Sequence, residues 1–266
     1  MSGVAMLRRS AGRLRSTVGA CYPGSHANFR GHDLHLDLKD LDWVELYIFG
    51  ITGRRFSEAQ VRLLHAIWVY TSYPDARLWN NRVAALAASA RSSSNLGMSA
   101  AIAVSEASVY GGRAGLQSMQ FLMRARAALD SGVELPTFVR IELEARRIYG
   151  YGRPINSTDE RIPWMMALAK ELGVDRGRHL TLAFDVEKIL LAQYPNLRMN
   201  YAALHAALIA DLGLSLREYQ LLRVPTFMAG MVPCSVDASG KPQGAVFPTP
   251  CADVSYEGAA IRAWCA

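Results

Sequence analysis

The segment Gly150-Tyr-Gly-Arg-Pro-Ile-Asn-Ser-Thr-Asp-Glu-Arg161 carries two arginines and two carboxylates between two helical patterns. The pattern before it opens near Pro136, a residue that suits the first turn of a helix. The pattern after it ends at Gly173, a residue typical of helix C-termini. Backbone amides and guanidinium groups converge in such loops and commonly hold anions. The segment is therefore a candidate anion site, and a helix-capping network is the alternative.

Helical periodicity extends outward from this segment, from Asp33 onward, with little strand-like alternation. Ser57-Glu-Ala-Gln60 is a capping-box sequence, and Ser215-Leu-Arg-Glu218 opens a second such helix that we expect to run to Met231. Residues 78–91 are rich in alanine, which favours close packing by another helix. The sequence predicts an all-α fold in three parts: a basic N-terminal extension (1–30), a helical domain (31–231) and a loop-rich C-terminal tail (232–266).

Positive charge is concentrated at the N-terminus. Five arginines and no acidic residue lie in the first 30 positions, and the rest of the chain holds 24 basic and 23 acidic residues. A nearly neutral body disfavours nucleic-acid binding, and no long uncharged apolar run predicts a membrane span. The N-terminus is either a solvated extension or a mitochondrial transit peptide. We therefore expect a cytoplasmic protein, or a protein of the mitochondrial matrix in the second case, with no nucleic-acid or membrane partner.

Metal-binding and nucleophile motifs are missing from the sequence. None of the four cysteines forms a CxxC pair, and His32 and His35 stand three apart without further ligands. No P-loop and no Gly-x-Ser-x-Gly motif occurs. We expect no metal site.

Seven segments resemble motifs of the citrate synthase superfamily and follow one another in the family's order between residues 29 and 231. The resemblance implies a shortened, citrate-synthase-like helical fold that binds a coenzyme A thioester and a small carboxylate. It also implies a homodimer with residues near 80 to 125 at its centre. The segments are Phe29-Arg-Gly-His-Asp-Leu34 ("YRGYDI"), Leu46-Tyr-Ile-Phe-Gly-Ile-Thr52 ("LLLFGELPT"), Leu64-His-Ala-Ile-Trp68 ("HADHE"), Arg82-Val-Ala-Ala-Leu-Ala-Ala-Ser89 ("RVVAST"), Ser108-Val-Tyr-Gly-Gly-Arg-Ala-Gly115 ("GPLHGGANE"), Gly150 to Arg161 ("GYGHRVYKTDPR") and Tyr194-Pro-Asn-Leu-Arg198 ("YPNVDFYSG").

The family's reactive residues are largely replaced in this chain. The oxo-acid-binding histidine of "HADHE" falls on Trp68, and the catalytic histidine of "PLHGG" falls on Tyr110. The "GYGH" histidine falls on Arg153, and the catalytic aspartate of "PNVD" falls on Arg198. The arginine of "DPR" is kept as Arg161.

These replacements change the chemistry that the resemblance implies. Condensation of an acyl-CoA with an oxo acid needs a carboxylate base and a hydrogen-bond donor on the thioester oxygen. Tyr110 can donate, whereas the guanidinium of Arg198 stays protonated and cannot act as the base. Asp159, Asp185 and Asp211 are possible substitutes for the base.

Site residues follow from the same resemblance. We expect Tyr110 and Arg161 to be catalytic, and the backbone of Gly150, Tyr151 and Gly152 to contact coenzyme A. Three guanidinium groups in one cleft would favour a polycarboxylate or a phosphorylated ligand, with surface salt bridges as the alternative. The predicted substrate-binding residues are Trp68, Arg82, Arg153, Arg161 and Arg198.

Two functions remain open on the sequence. One is a divergent acyl-CoA transferase or lyase that forms or breaks a carbon–carbon bond of an anionic carboxylate. The other is a non-catalytic ligand-binding or interaction protein that keeps the fold but lacks the catalytic histidine and aspartate.

Overall fold

The chain passes twice through two structural units. The structure is a computed structural model that describes residues 3–12, 14–153 and 158–264. Unit 1 consists of Met1–Thr71 and Gly112–Thr226, and unit 2 consists of Ser72–Gly111 and Phe227–Ala266. The three-part division of the sequence rests on composition and stays a prediction.

Helices dominate both units, which confirms the all-α prediction. In chain order they are α1 (Gly3–Ser10), α2 (Trp43–Thr52), α3 (Glu58–Thr71), α4 (Trp79–Ser89), α5 (Ser94–Val104), α6 (Gly112–Asp130), α7 (Leu135–Ala145), α8 (Arg161–Glu171), α9 (Arg178–Leu191), α10 (Tyr201–Asp211), α11 (Leu216–Arg223) and α12 (Met228–Ser239).

A small antiparallel sheet precedes α2, and the sequence analysis did not predict it. Its strands are β1 (Gly19–Tyr22), β2 (His26–Phe29) and β3 (His32–Asp33), paired in the order β1-β2-β3. Gly19 pairs with Phe29, and Asn28 pairs with Asp33. Two strands therefore lie within the predicted N-terminal extension.

Both predicted capping boxes form. The amide of Gln60 donates to the Ser57 hydroxyl, and the amide of Ser57 donates to the Gln60 side chain. Ser215 and Glu218 exchange the same pair of bonds at the start of α11. Each box satisfies two groups that a helix start would otherwise leave unpaired.

The helix predicted to run from Leu216 to Met231 is instead two helices, so that prediction is wrong. Pro225 has no amide hydrogen to donate to the carbonyl of Leu221 and therefore interrupts the helical bonding. The Leu221 carbonyl accepts instead from the Val224 amide and from the Tyr47 hydroxyl. The second helix, α12, continues to Ser239 and accommodates Pro233 in its interior.

Helix α10 lies at the centre of the core of unit 1. Its sequence is apolar on every side, and residues 203–210 are all buried. A helix with no polar face must be covered all round, and α10 packs against α6, α8 and α9. His205 is the exception in composition, because it places a polar ring in this buried helix.

Close helix packing organises unit 2. Helix α4 packs against both α5 and α12, and its alanines Ala84 and Ala85 are buried. A Cβ atom at Gly97 on α5 would lie only 2.8 Å from the Cβ atom of Ala87 on α4. Small side chains therefore let these backbones approach, as the alanine-rich segment predicted.

Candidate functional site

The segment that begins at Gly150 is held against the start of α10. Tyr151 and Met199 form an antiparallel bridge, and the Gly152 amide donates to the Arg198 carbonyl at 2.6 Å. The amide of Asn200 donates to the Gly150 carbonyl at 2.9 Å, and its side chain donates to the Gly152 carbonyl at 2.8 Å. These bonds place the glycine segment beside the N-terminus of the most buried helix.

The backbone conformation of this segment and its close neighbours require glycine at positions 150 and 152. Gly150 and Gly152 have φ values of 91° and 82°, in the left-handed region that favours glycine. A Cβ atom on Gly150 would lie 2.5 Å from the Ser118 hydroxyl and 2.6 Å from the Ala203 Cβ atom. The glycines therefore do not by themselves indicate contact with coenzyme A, and that role stays a prediction.

The side chain of Tyr151 belongs to the core. It is buried, and its hydroxyl donates to the Ala183 carbonyl at 2.9 Å. Burial, with a smaller effect from the negative charge of Glu187, holds the pKa of Tyr151 well above its usual value of 10. Any ligand contact of Tyr151 is therefore left to its backbone.

Arg161 is locked by the buried carboxylate of Asp159. Its Nε and Nη2 atoms each donate to Asp159 at 2.8 Å, and the Tyr201 amide donates to the same carboxylate at 2.8 Å. Burial opposes ionisation of Asp159, but the bonds and charge of Arg161 and the Tyr201 amide outweigh it and lower the pKa of Asp159. Asp159 therefore remains a carboxylate that fixes the position of Arg161.

A second arginine, Arg223, lies beside a buried tyrosine–histidine pair. Nδ1 of His205 lies 3.1 Å from the Tyr219 hydroxyl, which accepts from Nη1 of Arg223 at 3.3 Å. The same Nη1 atom donates to the Gly112 carbonyl. A Cβ atom on Gly115 would lie 2.8 Å from Cε1 of His205 and closer still to the Tyr219 hydroxyl and Arg223. Glycine at position 115 therefore makes room for this cluster.

Ring contacts join the two arginines into one series. The Arg161 guanidinium lies 4.4 Å from the centre of the Tyr201 ring, and the Tyr201 and His205 ring centres are 5.2 Å apart. The His205 and Tyr219 ring centres are 5.9 Å apart, and the Arg223 guanidinium lies 5.5 Å from the Tyr219 ring centre. We call Tyr201, His205 and Tyr219 the aromatic row.

Electrostatics keep the middle of the aromatic row uncharged. Burial lowers the pKa of His205 well below 6.5, and the positive charges of Arg223 and Arg161 lower it further. His205 is therefore a neutral imidazole at pH 7, and the two guanidinium groups carry the positive charge of this region.

Two of the other three predicted arginines, Arg153 and Arg198, lie close to this region along the backbone. Nη1 of Arg153 donates to the Thr158 carbonyl at 2.8 Å and to Glu160 at 3.0 Å. Arg198 is exposed, and its carbonyl accepts from the Gly152 amide. Residues 154–157 of the predicted anion loop lie outside the described residues. The convergence of Arg153, Arg161 and Arg198 on one ligand stays a prediction.

Trp68 belongs to an aromatic cluster on α2 and α3. Its ring centre lies 6.4 Å from that of Trp43 and 5.7 Å from that of Tyr47. Trp68 is partly buried and packs on the core of unit 1. Its predicted contact with substrate stays a prediction.

Tyr110 and Arg82 lie in unit 2. Tyr110 is 52% exposed and has a φ of 53°, a left-handed conformation that few tyrosines adopt. The Arg82 guanidinium lies 4.8 Å from the centre of the Phe247 ring and 5.9 Å from that of Trp79. Its Nε atom is buried without a hydrogen-bond partner in the described part of the chain. The catalytic role of Tyr110 and the substrate role of Arg82 stay predictions.

The three carboxylates considered as substitute bases already have partners. Asp159 binds Arg161, as described above. Asp185 pairs with Lys188 at 2.8 Å on the surface of α9. Asp211 accepts from the amides of His179 and Leu180 at 2.8 and 2.9 Å, and so caps α9. Each carboxylate therefore has a structural task.

The sequence analysis missed His205, Tyr219 and Arg223. One signal for the histidine was present, because His205 interrupts an otherwise apolar helical run from Tyr201 to Ala210. Arg223 reads in the sequence as an ordinary basic residue inside the helix predicted to run to Met231, and only the structure places it in the last turn of α11. Only folding brings α6, α10 and α11 together around Gly115.

No helix within 3–12, 14–153 and 158–264 is long and apolar enough to cross a membrane. In the same residues, no group of three or more histidine, cysteine, aspartate or glutamate side chains has an arrangement that could hold a metal ion.

Comparison with known proteins gives one family and several similar structures. The family model described as citrate synthase, C-terminal domain, matches residues 5–232. No curated protein sequence matches the chain. Citryl-CoA lyase from Hydrogenobacter thermophilus has a TM-score of 0.81 and 21% identity, covering 94% of this chain and 97% of that chain.

Two larger enzymes share the fold over part of their length. ATP citrate lyase from Methanosaeta concilii, solved with (3S)-citryl-CoA, has a TM-score of 0.73 and 16% identity, covering 98% of this chain and 45% of that chain. Citrate synthase from Thermoplasma acidophilum, solved with carboxymethyl coenzyme A and oxaloacetate, has a TM-score of 0.67 and 15% identity, covering 85% of this chain and 59% of that chain. At these identities the similarity shows the fold.

Proposed function

The chain belongs to the citrate synthase family, and from this membership we propose that it forms or breaks a carbon–carbon bond between a coenzyme A thioester and an anionic carboxylate. The similar structures include a citryl-CoA lyase, an ATP citrate lyase solved with citryl-CoA and a citrate synthase solved with a coenzyme A derivative. Their chemistry supports a C–C transferase or lyase activity here.

The observation that carries the proposal is the pair Arg161 and Arg223 at the two ends of the aromatic row. Arginine binds carboxylates through paired, charge-assisted hydrogen bonds. Asp159 holds Arg161 in place, and the Gly112 carbonyl and Tyr219 hydroxyl hold Arg223. Two arginines fixed in this way favour a ligand with at least two carboxylates, such as citrate or a related oxo acid.

The reaction also needs a group that stabilises the enolate of the thioester. We propose that Tyr110 donates a hydrogen bond to the thioester oxygen, because it occupies the position of the family's catalytic histidine. Formation of the enolate also needs a base that takes up a proton from the α-carbon, and each of the three carboxylates considered for this role already has a partner within the described residues. Arg153, Arg198 and Trp68 are proposed to line the substrate site around the two anchoring arginines, and the backbone of Gly150, Tyr151 and Gly152 to contact coenzyme A. A contact of Arg82 with the substrate is proposed from the family resemblance alone.

A non-catalytic carboxylate-binding protein is the second candidate. Arg198 occupies the position of the family's catalytic aspartate, and Asp159, Asp185 and Asp211 already have partners. This arrangement favours binding without turnover.

The quaternary structure is also a proposal. Apolar side chains are exposed on all three helices of unit 2: Leu86 on α4, Leu96 on α5, and Val232 and Val236 on α12. We propose a homodimer that buries this face.

One experiment separates the two candidate functions. Calorimetric titration with citrate, oxaloacetate and succinate measures carboxylate binding, and release of free coenzyme A from citryl-CoA or from acetyl-CoA with oxaloacetate measures turnover. Binding with turnover supports the enzyme, and binding alone supports the second candidate. The absence of both binding and turnover excludes both candidates. Arg62→Ala is the control for arginine substitutions in both measurements. Within the described residues, the side chain of Arg62 makes only an exposed salt bridge with Glu171.

A further inference from the structure

His205 is the one histidine of the six that is buried in the structure. It is 4% exposed in the middle of α10, and its Nδ1 atom faces the Tyr219 hydroxyl. The groups that face or charge this ring are Tyr201 on its own helix, Tyr219 and Arg223 on α11, Gly115 on α6 and Arg161 on α8.

Two of these groups oppose protonation of the ring. Arg161 and Arg223 are both permanently positive, and each adds to the effect of burial on His205. An anion held by the two arginines would cancel much of this repulsion. Its own negative charge would also attract a proton to the imidazole. Occupation of the site and protonation of His205 must therefore favour each other, because such coupling is reciprocal.

Resting on the proposed carboxylate site, we propose that His205 is a specificity-determining residue that takes up a proton when a tricarboxylate binds to Arg161 and Arg223. The proton comes from the solvent and no bond between heavy atoms changes. The imidazolium then adds a third positive charge to the two guanidinium groups. A ligand with three carboxylates gains more from this charge than a ligand with two.

The hydrogen bond to Tyr219 suits both protonation states of His205. A hydroxyl can donate one hydrogen and accept two. The Tyr219 hydroxyl can donate to the bare Nδ1 atom of a neutral ring. It can equally accept from Nδ1–H of the charged ring while it also accepts from Arg223. Protonation therefore reverses the direction of the hydrogen bond between Nδ1 and the Tyr219 hydroxyl and does not require this bond to break.

The decisive measurement is the number of protons that accompany citrate binding. Calorimetry at about pH 6, in two buffers with different ionisation enthalpies, gives that number directly. We expect wild type to take up more protons than His205→Gln, by up to about one. Citrate's own titration is common to both proteins and cancels in the comparison. With succinate, whose two carboxylates match the two guanidinium groups, we expect a smaller difference.

The outcomes separate this proposal from the proposed function. Citrate binding with equal proton uptake in wild type and His205→Gln overturns the role of His205 and leaves the carboxylate site intact. No citrate binding to wild type overturns both. A larger proton difference with succinate than with citrate also overturns the proposed preference for a tricarboxylate.

A second measurement needs no variant and applies if His205→Gln does not fold. Wild-type protein with isotope-labelled histidine gives one imidazole signal from a buried ring. We expect that signal to remain neutral at about pH 6 without ligand and to become protonated there with saturating citrate. A signal that stays neutral in both samples overturns the proposal.

Discussion

The Tyr219 hydroxyl lies 3.1 Å from Nδ1 of His205 in the interior of unit 1. The same hydroxyl accepts from the Arg223 guanidinium, and Arg161 lies at the other end of the aromatic row to which both residues belong. A buried polar pair is stable only when its hydrogen bonds are made, and Gly115 leaves the space in which they form. The core of unit 1 and the proposed carboxylate site therefore share the same residues.

The first prediction concerns stability at mildly acidic pH. The pKa of His205 is lowered in the folded protein, so the unfolded chain binds this proton first as the pH falls below about 6.5. The contribution of neutral His205 to the free energy of unfolding is therefore complete above about pH 6.5. It decreases below that pH by at most about 1.4 kcal/mol per pH unit. We expect His205→Gln to flatten this decrease in urea unfolding measured from about pH 7.5 to 5.5. His35→Gln, at an exposed position, is the control, and equal slopes in all three proteins would contradict the prediction.

The second prediction concerns the cap of α9. Asp211→Ala leaves the amides of His179 and Leu180 without their acceptor, and we expect it to lower the free energy of unfolding by about 1–3 kcal/mol. Asp185→Ala is a matched control, because it breaks only a surface pair with Lys188, worth at most about 1 kcal/mol. Denaturant unfolding compares the two. Equal losses would show that the carboxylate of Asp211 is not a significant cap.

The third prediction concerns the packing of α4 on α5. Gly97→Leu places a large side chain where even a Cβ atom would lie 2.8 Å from Ala87. We expect a loss of about 1–3 kcal/mol from overpacking. Ala103→Leu introduces the same side chain at an exposed position of α5 and should be nearly neutral. If thermal unfolding shifts equally for both variants, the close approach of these helices is not required for stability.

Sequence patterns predicted the elements of this fold well where local chemistry decides them. The boxes at Ser57 and Ser215 mark helix starts, because their bonds lie within four residues of the chain. Alanine at positions 84 and 85 indicated close packing without identifying the partner helices. The break at Pro225 was readable in principle, since proline removes a helical bond, but the predicted helix was continued across it.

The candidate site was only partly predictable. Arg161 was identified through the family resemblance, and Asp159 only as one of three possible bases. His205, Tyr219 and Gly115 come from separate helices, and periodicity shows which face of a helix is buried but not which distant residues meet there. The small sheet was also missed, because short strands of mixed polarity such as Gly19–Tyr22 carry little pattern.

The fourth prediction concerns assembly. We expect light scattering at micromolar concentration to give the mass of a dimer, since the exposed apolar side chains of unit 2 need covering. Val236→Glu, at a position that is 65% exposed on α12, should shift the protein to monomers by burying a charge at the interface. Leu36→Glu, at a position that is 73% exposed in unit 1, is the control and should leave the dimer intact. A monomeric wild type would contradict the proposal outright.

The last prediction distinguishes an enzyme from a binding protein by comparing Tyr110→Phe with Arg161→Lys. Tyr110→Phe removes one hydroxyl from an exposed side chain and should leave stability and carboxylate affinity unchanged. If Tyr110 donates to the developing enolate, turnover should fall about a hundred- to a thousandfold, the usual effect of losing one such donor. Arg161→Lys keeps a positive charge beside the buried Asp159, so folding is protected, but it loses the bidentate geometry. We therefore expect weaker citrate binding, by about tenfold or more, as its main effect.

The two variants then give different patterns for the two candidate functions. In an enzyme, Tyr110→Phe lowers kcat while citrate affinity holds, and Arg161→Lys raises the dissociation constant of citrate. In a binding protein only the arginine variant has an effect, because there is no transition state for the Tyr110 hydroxyl to stabilise. Loss of turnover with Arg62→Ala as well would point to a general defect. If citrate binding and turnover survive both Tyr110→Phe and Arg161→Lys, the roles proposed for these two residues are wrong, and the reacting carboxylate binds elsewhere on the chain.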